Sequence, residues 1–308
     1  MIFKKSTLSI AFVLLIITFF PWEVLSPGRF EDLASYRRNL EVGLRPDQEG
    51  FGSIISLIYG EMLFQKWLFF VFDRTQSIDY TIYLISLVTI GIFFVALKRL
   101  NIDYRISILL ICPLMIDFFH SQLRNSLALS IFLLGYSCKK PLYKYLLFIV
   151  SVGFHLALIL LIITNFVINF VQNKIKSRVF QIFILMTFSL FSSFGDKIFF
   201  FLIQDQRAFI YSGYSGMSAI YFIWAMVLFG SIFFMRLNNW HMNTHQDYAF
   251  IGSLLIVSAY FSGAYYGRYL AMFFPFILAS IGKFNINKSI IVVMFIYCFY
   301  TFVMNFVI

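Results

Sequence analysis

The sequence predicts an all-α, polytopic membrane protein: a helical bundle of about eleven crossings, roughly ten to twelve, making one transmembrane domain over residues 1–308. Three observations predict it. Hydrophobic residues make up 61% of the chain and charged residues only 12%, about half the charged share of a water-soluble globule. Mean hydropathy is +0.85. The apolar residues fall in runs of roughly 14 to 22, the length that crosses a hydrocarbon core of about 30 Å, with short charged breaks between them. The strict alternation that would mark a membrane β-barrel is absent from the sequence.

The elements follow in order. Lys4 and Lys5 precede the first apolar run, Thr7 to Leu25. No small-residue cleavage site follows it, so it reads as a retained signal anchor. Residues 26–77 form a first outer loop, in which Phe51 to Phe72 is amphipathic and suits the membrane interface. Apolar runs then occupy 78–97, 106–120, 123–138, 145–154, 156–172 and 179–195. A second outer loop, 196–217, contains Gly213 and Gly216, whose backbone freedom suits a moving cover or an ordinary turn. The last runs are 218–235, 248–265, 269–282 and 289–306. The breaks holding Lys98, Arg99 and Arg105; Lys139, Lys140 and Lys144; Lys174, Lys176 and Arg178; Arg236; and Lys283 and Lys288 are cytoplasmic by the positive-inside rule. The amino terminus is then inside and the carboxyl terminus outside.

Two hairpins stand out in this arrangement. Their arms, between Arg105 and Lys139 and between Lys144 and Lys174, reach only about 21 to 25 Å each, short of the core thickness. Their tips, Phe119 to Asn125 and Gly153 to Leu156, therefore stop below the outer surface and hold Gln122, Arg124 and His155 at membrane depth. Polar groups there require a water-filled cavity. An alternative makes 106–138 one long tilted helix, with Asp117, His120, Ser121 and Arg124 on a single inward stripe.

Basic residues differ by side. The cytoplasmic breaks hold ten Lys and four Arg; the remainder (Arg29, Arg37, Arg38, Arg45, Lys66, Arg74, Arg124, Lys197, Arg207, Arg268) holds two Lys and eight Arg. Guanidinium grips phosphate or carboxylate with two parallel hydrogen bonds, which ammonium cannot do. Cys112, Cys138 and Cys298 have no metal-site or disulfide spacing and read as inert thiols. P-loop, HExxH and GxSxG patterns are missing, so nucleotide-driven transport, zinc hydrolysis and α/β-hydrolase chemistry lose their usual signals. Tyr211, Tyr214, Tyr265, Tyr266 and Tyr269 gather at outer ends, as an aromatic belt or as sugar-stacking residues.

The ordered blocks Phe30 to Tyr36, Glu49-Gly50-Phe51, Gln122-Leu123-Arg124-Asn125-Ser126-Leu127-Ala128, Phe154-His155-Leu156-Ala157-Leu158 and Gly267-Arg268-Tyr269-Leu270 carry a likeness. Together, over roughly residues 26 to 282, the chain resembles the EpsG-like branch of the Wzy-type polysaccharide polymerases. It departs from that pattern in Asn125, where Gln is frequent, in Leu156-Ala157, and in offering Glu31-Asp32 before Tyr36 instead of a Gly-x-Asp-Tyr block.

The resemblance implies a GT-C-like fold and a glycosyltransferase of the bacterial inner membrane. Such an enzyme moves a growing glycan from undecaprenyl pyrophosphate onto another undecaprenyl-pyrophosphate-linked oligosaccharide, making O-antigen, capsule or exopolysaccharide at the periplasmic face. It implies no cofactor, no metal and no nucleic-acid partner; beyond the lipid-linked donor and acceptor and the bilayer, it implies a chain-length regulator (co-polymerase) as partner. On this reading Arg124 and Arg268 take the pyrophosphate, with Gln122, Arg207, Arg38, Arg45, Tyr211 and Tyr269 around the substrate. His155 is the favoured general base, its ordinary pKa near 6.5 suiting proton transfer, with Glu49, Asp32 and Glu31 as alternatives. Two other classes compete: an integral-membrane acyltransferase, whose early-helix histidine is missing because His120 is the first histidine, and a lipid-linked glycan flippase, for which no repeat between the halves is evident.

Overall fold

The computed structural model describes residues 5–25, 30–43, 62–103, 105–195, 219–237, 243–262, 266–281 and 288–306, and among them it is all-helical. The helices are α1 (Lys5–Phe19), α2 (Trp22–Leu25), α3 (Glu31–Val42), α4 (Met62–Thr75), α5 (Ile78–Leu100), α6 (Pro113–His120), α7 (Leu123–Tyr136), α8 (Pro141–Phe154), α9 (Ile159–Lys174), α10 (Arg178–Ser193), α11 (Ala219–Leu237), α12 (Thr244–Ser262), α13 (Tyr266–Ile281) and α14 (Lys288–Phe306). Short 3-10 turns precede α6 at Ser107–Leu110 and α9 at Leu156–Leu158. Ile78–Leu100 and Leu156–Lys174 are long and apolar enough to cross a membrane, and Thr7–Phe19, Pro141–Phe154, Arg178–Ser193, Ala225–Phe234 and Gly267–Ile281 are shorter apolar helices. Glu49, Arg45, Arg207, Tyr211 and the second outer loop lie outside the described residues.

The chain forms two compact units, residues 1–159 with 293–308, and 160–292. In the first, α5 is the longest element. Ser77 caps it by accepting from the Tyr80 N–H at 3.5 Å, and Asn101 closes it in the left-handed conformation at φ 54°. Asp79 in its first turn and Lys98 and Arg99 in its last both complement the helix dipole. α1, α4 and α7 pack against α5, and α7 packs against α8. The chain between Ser107 and His120 runs alongside α1: Ser9 and Ser107 share a hydrogen bond at 2.6 Å near one end, and His120 Nε2 meets the Ile17 carbonyl at 2.6 Å near the other.

In the second unit α12 is the hub, with α10, α11 and α13 packed around it. Every residue from Gln246 to Ala259 is buried, as a helix apolar on all faces must be. Its start is a reciprocal capping box: the Gln246 N–H donates to Asn243 Oδ1 at 3.1 Å, and the Asn243 N–H donates to Gln246 Oε1 at 2.6 Å. Gly252 lets α13 come close, since a Cβ there would lie 2.4 Å from Phe273 Cγ. Tyr248 stacks on Phe276 with ring centroids 4.2 Å apart and donates its hydroxyl to the Leu161 carbonyl at 3.0 Å.

Both units bury many hydroxyls without unpaired cost. Ser126, Ser130, Ser151, Thr164, Ser253 and Ser258 each donate to a carbonyl three or four residues earlier, which hides the hydroxyl on its own helix. Large apolar side chains instead face outward: Leu142 and Val179 are 76% and 78% exposed, and Phe170, Phe183 and Phe191 are also exposed. Such surface is a liability in water and at home in lipid.

Candidate functional site

The first hairpin is built by a break, not by one long helix. α6 ends when the Asp117 carbonyl accepts from both Ser121 N–H (2.7 Å) and Gln122 N–H (3.2 Å). α7 then starts at Leu123, so the alternative of a continuous helix over 106–138 is corrected: Ser121 and Gln122 interrupt the helical run, as does the Ile111–Cys112 junction before Pro113. The proline explains the second interruption, because its ring cannot follow a helical residue without a clash.

The depth of this tip follows from helix lengths. α5 has 23 residues and α7 has 14, and the two run parallel to a shared basic end, where Arg99 Nη1 lies 3.8 Å from Cys138 Sγ. The start of α7 therefore stops about 10 Å short of the far end of α5. α8 returns antiparallel to α7. Phe132 stacks on Phe148 with centroids 4.6 Å apart, and a Cβ on Gly135 would lie 2.8 Å from Leu147 Cβ, which shows how closely the pair approaches. Continuing that register by two turns brings His155 level with the first turn of α7, and the 3-10 turn after His155 packs on α7. Both tips thus lie at one depth.

His155 is buried and its backbone is held on both sides: its N–H donates to the Ser151 carbonyl at 3.0 Å, and its carbonyl accepts from Leu158 N–H at 3.2 Å. Arg124 is partly buried in the first turn of α7. Gln122 is buried and bridges two neighbours, donating Nε2–H to Asp117 Oδ2 at 3.0 Å and accepting at Oε1 from Asn125 Nδ2 at 3.0 Å. Both ends of this amide are engaged within the protein, so it orders the tip. The resemblance places Gln122 at the substrate, and the sequence gives no sign of its link to Asp117 and Asn125. The three residues face each other only because the helix breaks between them, and helical spacing hides that.

Above the tips, α3 is fastened to the far end of α5. Arg37 makes a forked pair with Glu23, Nη1 to Oε2 at 3.0 Å and Nη2 to Oε1 at 3.2 Å, and reaches Asp79 Oδ1 at 3.4 Å. The hydrogen bond to Glu23, helped by the charges of Glu23 and Asp79, raises the arginine pKa further. Phe30, just before α3, lies against His120 with ring centroids 5.8 Å apart. Tyr36 meets Phe64 of α4 at 5.4 Å, and Leu63 lies against Gly153. Asp32 and Arg38 are exposed on α3. In the second unit, Arg268 is half-buried and Tyr269 buried in the first turn of α13.

The EpsG family profile matches residues 6–308, nearly the whole chain. The chain belongs to the EpsG family. Neither a curated protein nor a solved structure matches it. EpsG membership points to a membrane protein of polysaccharide biosynthesis with a polymerase-like, glycosyl-transferring role. In this EpsG protein the sequence-predicted Gln122 and Arg124 lie at the start of α7 and His155 at the end of α8, while Asp32 and Arg38 lie on α3.

Proposed function

We propose that this EpsG-family protein is a Wzy-type polymerase that joins undecaprenyl-pyrophosphate-linked oligosaccharides at the outer face of the bacterial cytoplasmic membrane. The acceptor hydroxyl attacks the anomeric carbon of the donor glycan. The bond from that carbon to the pyrophosphate oxygen breaks, undecaprenyl pyrophosphate leaves with the electron pair, and the hydroxyl proton passes to His155. Arg124 neutralises the departing pyrophosphate. In this reading the chain crosses the membrane about eleven times, with the tips of its two short hairpins opening outward. A chain-length regulator is the protein partner such an enzyme would take.

One observation carries the reading. Arg124 sits in the first turn of α7, a helix with no acidic residue in that turn and no side-chain cap. A cation there opposes the helix dipole at a cost of about 0.3–1 kcal/mol, and a bound anion reverses the sign of both effects. His155, level with that turn on a rigid backbone, supplies the proton acceptor.

A deletion strain tests the function. A polymerase mutant makes surface glycan capped by a single repeat unit, and the wild-type gene restores long chains. Full-length chains with altered decoration would instead mean an acyltransferase, and loss of all outer glycan a flippase.

A further inference from the structure

The hydrogen bonds at the tip have a direction, and chemistry fixes it. Gln122 turns its amide nitrogen toward Asp117, with Nε2 3.0 Å from Oδ2, an oxygen that accepts. Gln122 is left with its oxygen facing Asn125, and Asn125 must answer with its own nitrogen, again at 3.0 Å. The chain therefore ends on Asn125 Oδ1, an acceptor. That oxygen is buried and meets no donor among the described residues, in a side chain 7% exposed. A buried acceptor left without a donor costs about 1–3 kcal/mol, and native proteins keep one where a ligand or an ordered water supplies the missing hydrogen. Beside it in the first turn of α7 stands Arg124, and His155 is at the same level.

We propose that Asn125 Oδ1 receives a hydroxyl of the sugar attached to the pyrophosphate, and that Asp117, acting through Gln122, is the positioning residue that makes Asn125 present an acceptor. This rests on the polymerase reading above and deepens it. The tip would then read two chemistries within one helical turn: anionic phosphate through Arg124 and a neutral hydroxyl donor through Asn125. A bare lipid pyrophosphate, the leaving product, satisfies the first and not the second, so the glycan-loaded lipid makes a contact that the spent one lacks.

The test uses the full-length protein in lipid nanodiscs and two probes of equal charge, a short isoprenyl diphosphate capped as its methyl ester and the same lipid carrying one hexose in place of the methyl group. The glucose, galactose and N-acetylglucosamine forms are compared, and the best binder is used. The readout is the ratio of the two affinities, which cancels any change in net charge. Wild type should favour the sugar-bearing probe by roughly fivefold, the worth of one neutral hydrogen bond. Asn125→Leu should bring the ratio to about one. Asn125→Asp should lose it as well, because two carboxylates now face the ends of one amide. Combining it with Asp117→Asn lets Gln122 reverse, keeps an acceptor at the tip and should restore the preference. Melting temperatures of each variant control for folding, and the paired substitution recovers the fold if the single one weakens it. An unchanged ratio in Asn125→Leu, with both probes still bound, overturns the sugar contact and assigns the oxygen to water while the pyrophosphate reading stands. No rescue by the paired substitution overturns the role of Asp117. Failure of both probes to bind wild type removes the polymerase reading and this inference with it.

Discussion

In the proposed function Arg124 is the side chain that meets the pyrophosphate, and its replacement is the sharpest single-residue test. Arg124→Lys keeps the charge and loses the fork, so polymer formation in a complemented deletion strain should fall at least about tenfold at normal expression. Full polymer length in that strain would remove the fork from the mechanism. Two glycines make a matched pair for packing. Gly252→Ala puts a methyl group 2.4 Å from Phe273 Cγ and 2.5 Å from its Cβ, atoms that cannot swing aside, and should destabilise the α12–α13 pair by about 2 kcal/mol. Gly91→Ala meets nothing within 4 Å in the middle of α5 and should stabilise by about 0.5–1 kcal/mol. Thermal melts of the two purified variants should therefore move in opposite directions. At this scale the sequence marked Gln122, Arg124 and His155, because polar residues in apolar runs are conspicuous. It did not mark Asn125 as an acceptor, since the polarity of an amide depends on what its neighbours can donate.

Helix α3 shows how an element is held. Its apolar side buries Phe30, Leu33 and Leu40, while Arg37 ties its outer side to Glu23 and Asp79. The Arg37 and Glu23 side chains are 37% and 44% exposed, so solvent screening limits the pair to no more than about 1 kcal/mol. Arg37→Ala should thus leave the melting temperature of the whole protein nearly unchanged and speed amide exchange in residues 31–42. A drop of many degrees would mean the clamp holds more than α3. Because the folded-state pKa of Arg37 is raised, its contribution is complete at any pH below the unfolded value and is lost only as pH rises through the folded one. Both lie far above neutrality, so deprotonation of Arg37 causes no loss of the clamp between pH 6 and 9. The amphipathic spacing of Glu31–Val42 is legible in the sequence, but its anchor is not: Glu23 and Asp79 are 14 and 42 residues from Arg37.

For the whole molecule, the proposed orientation makes a direct prediction about access. In a background freed of Cys112, Cys138 and Cys298, a cysteine at position 38 should react with a membrane-impermeant thiol reagent added outside intact cells. One at position 139 should react only after permeabilisation. The reverse pattern would turn the protein over and place the tips on the cytoplasmic side, where no periplasmic polymerase could use them.

By itself the sequence determined that this protein is helical, membrane-embedded and of the EpsG family, because apolar run length, basic punctuation and ordered motif blocks are all local along the chain. Tertiary structure decided what those blocks do to one another. How far α7 falls short of α5 depends on contacts between segments that are separate in sequence, while the break between α6 and α7 and the direction of two amides depend on how one short stretch folds back on itself. Gln122 donates to Asp117, five residues before it, and accepts from Asn125, three residues after it, and only the folded turn puts the three in line.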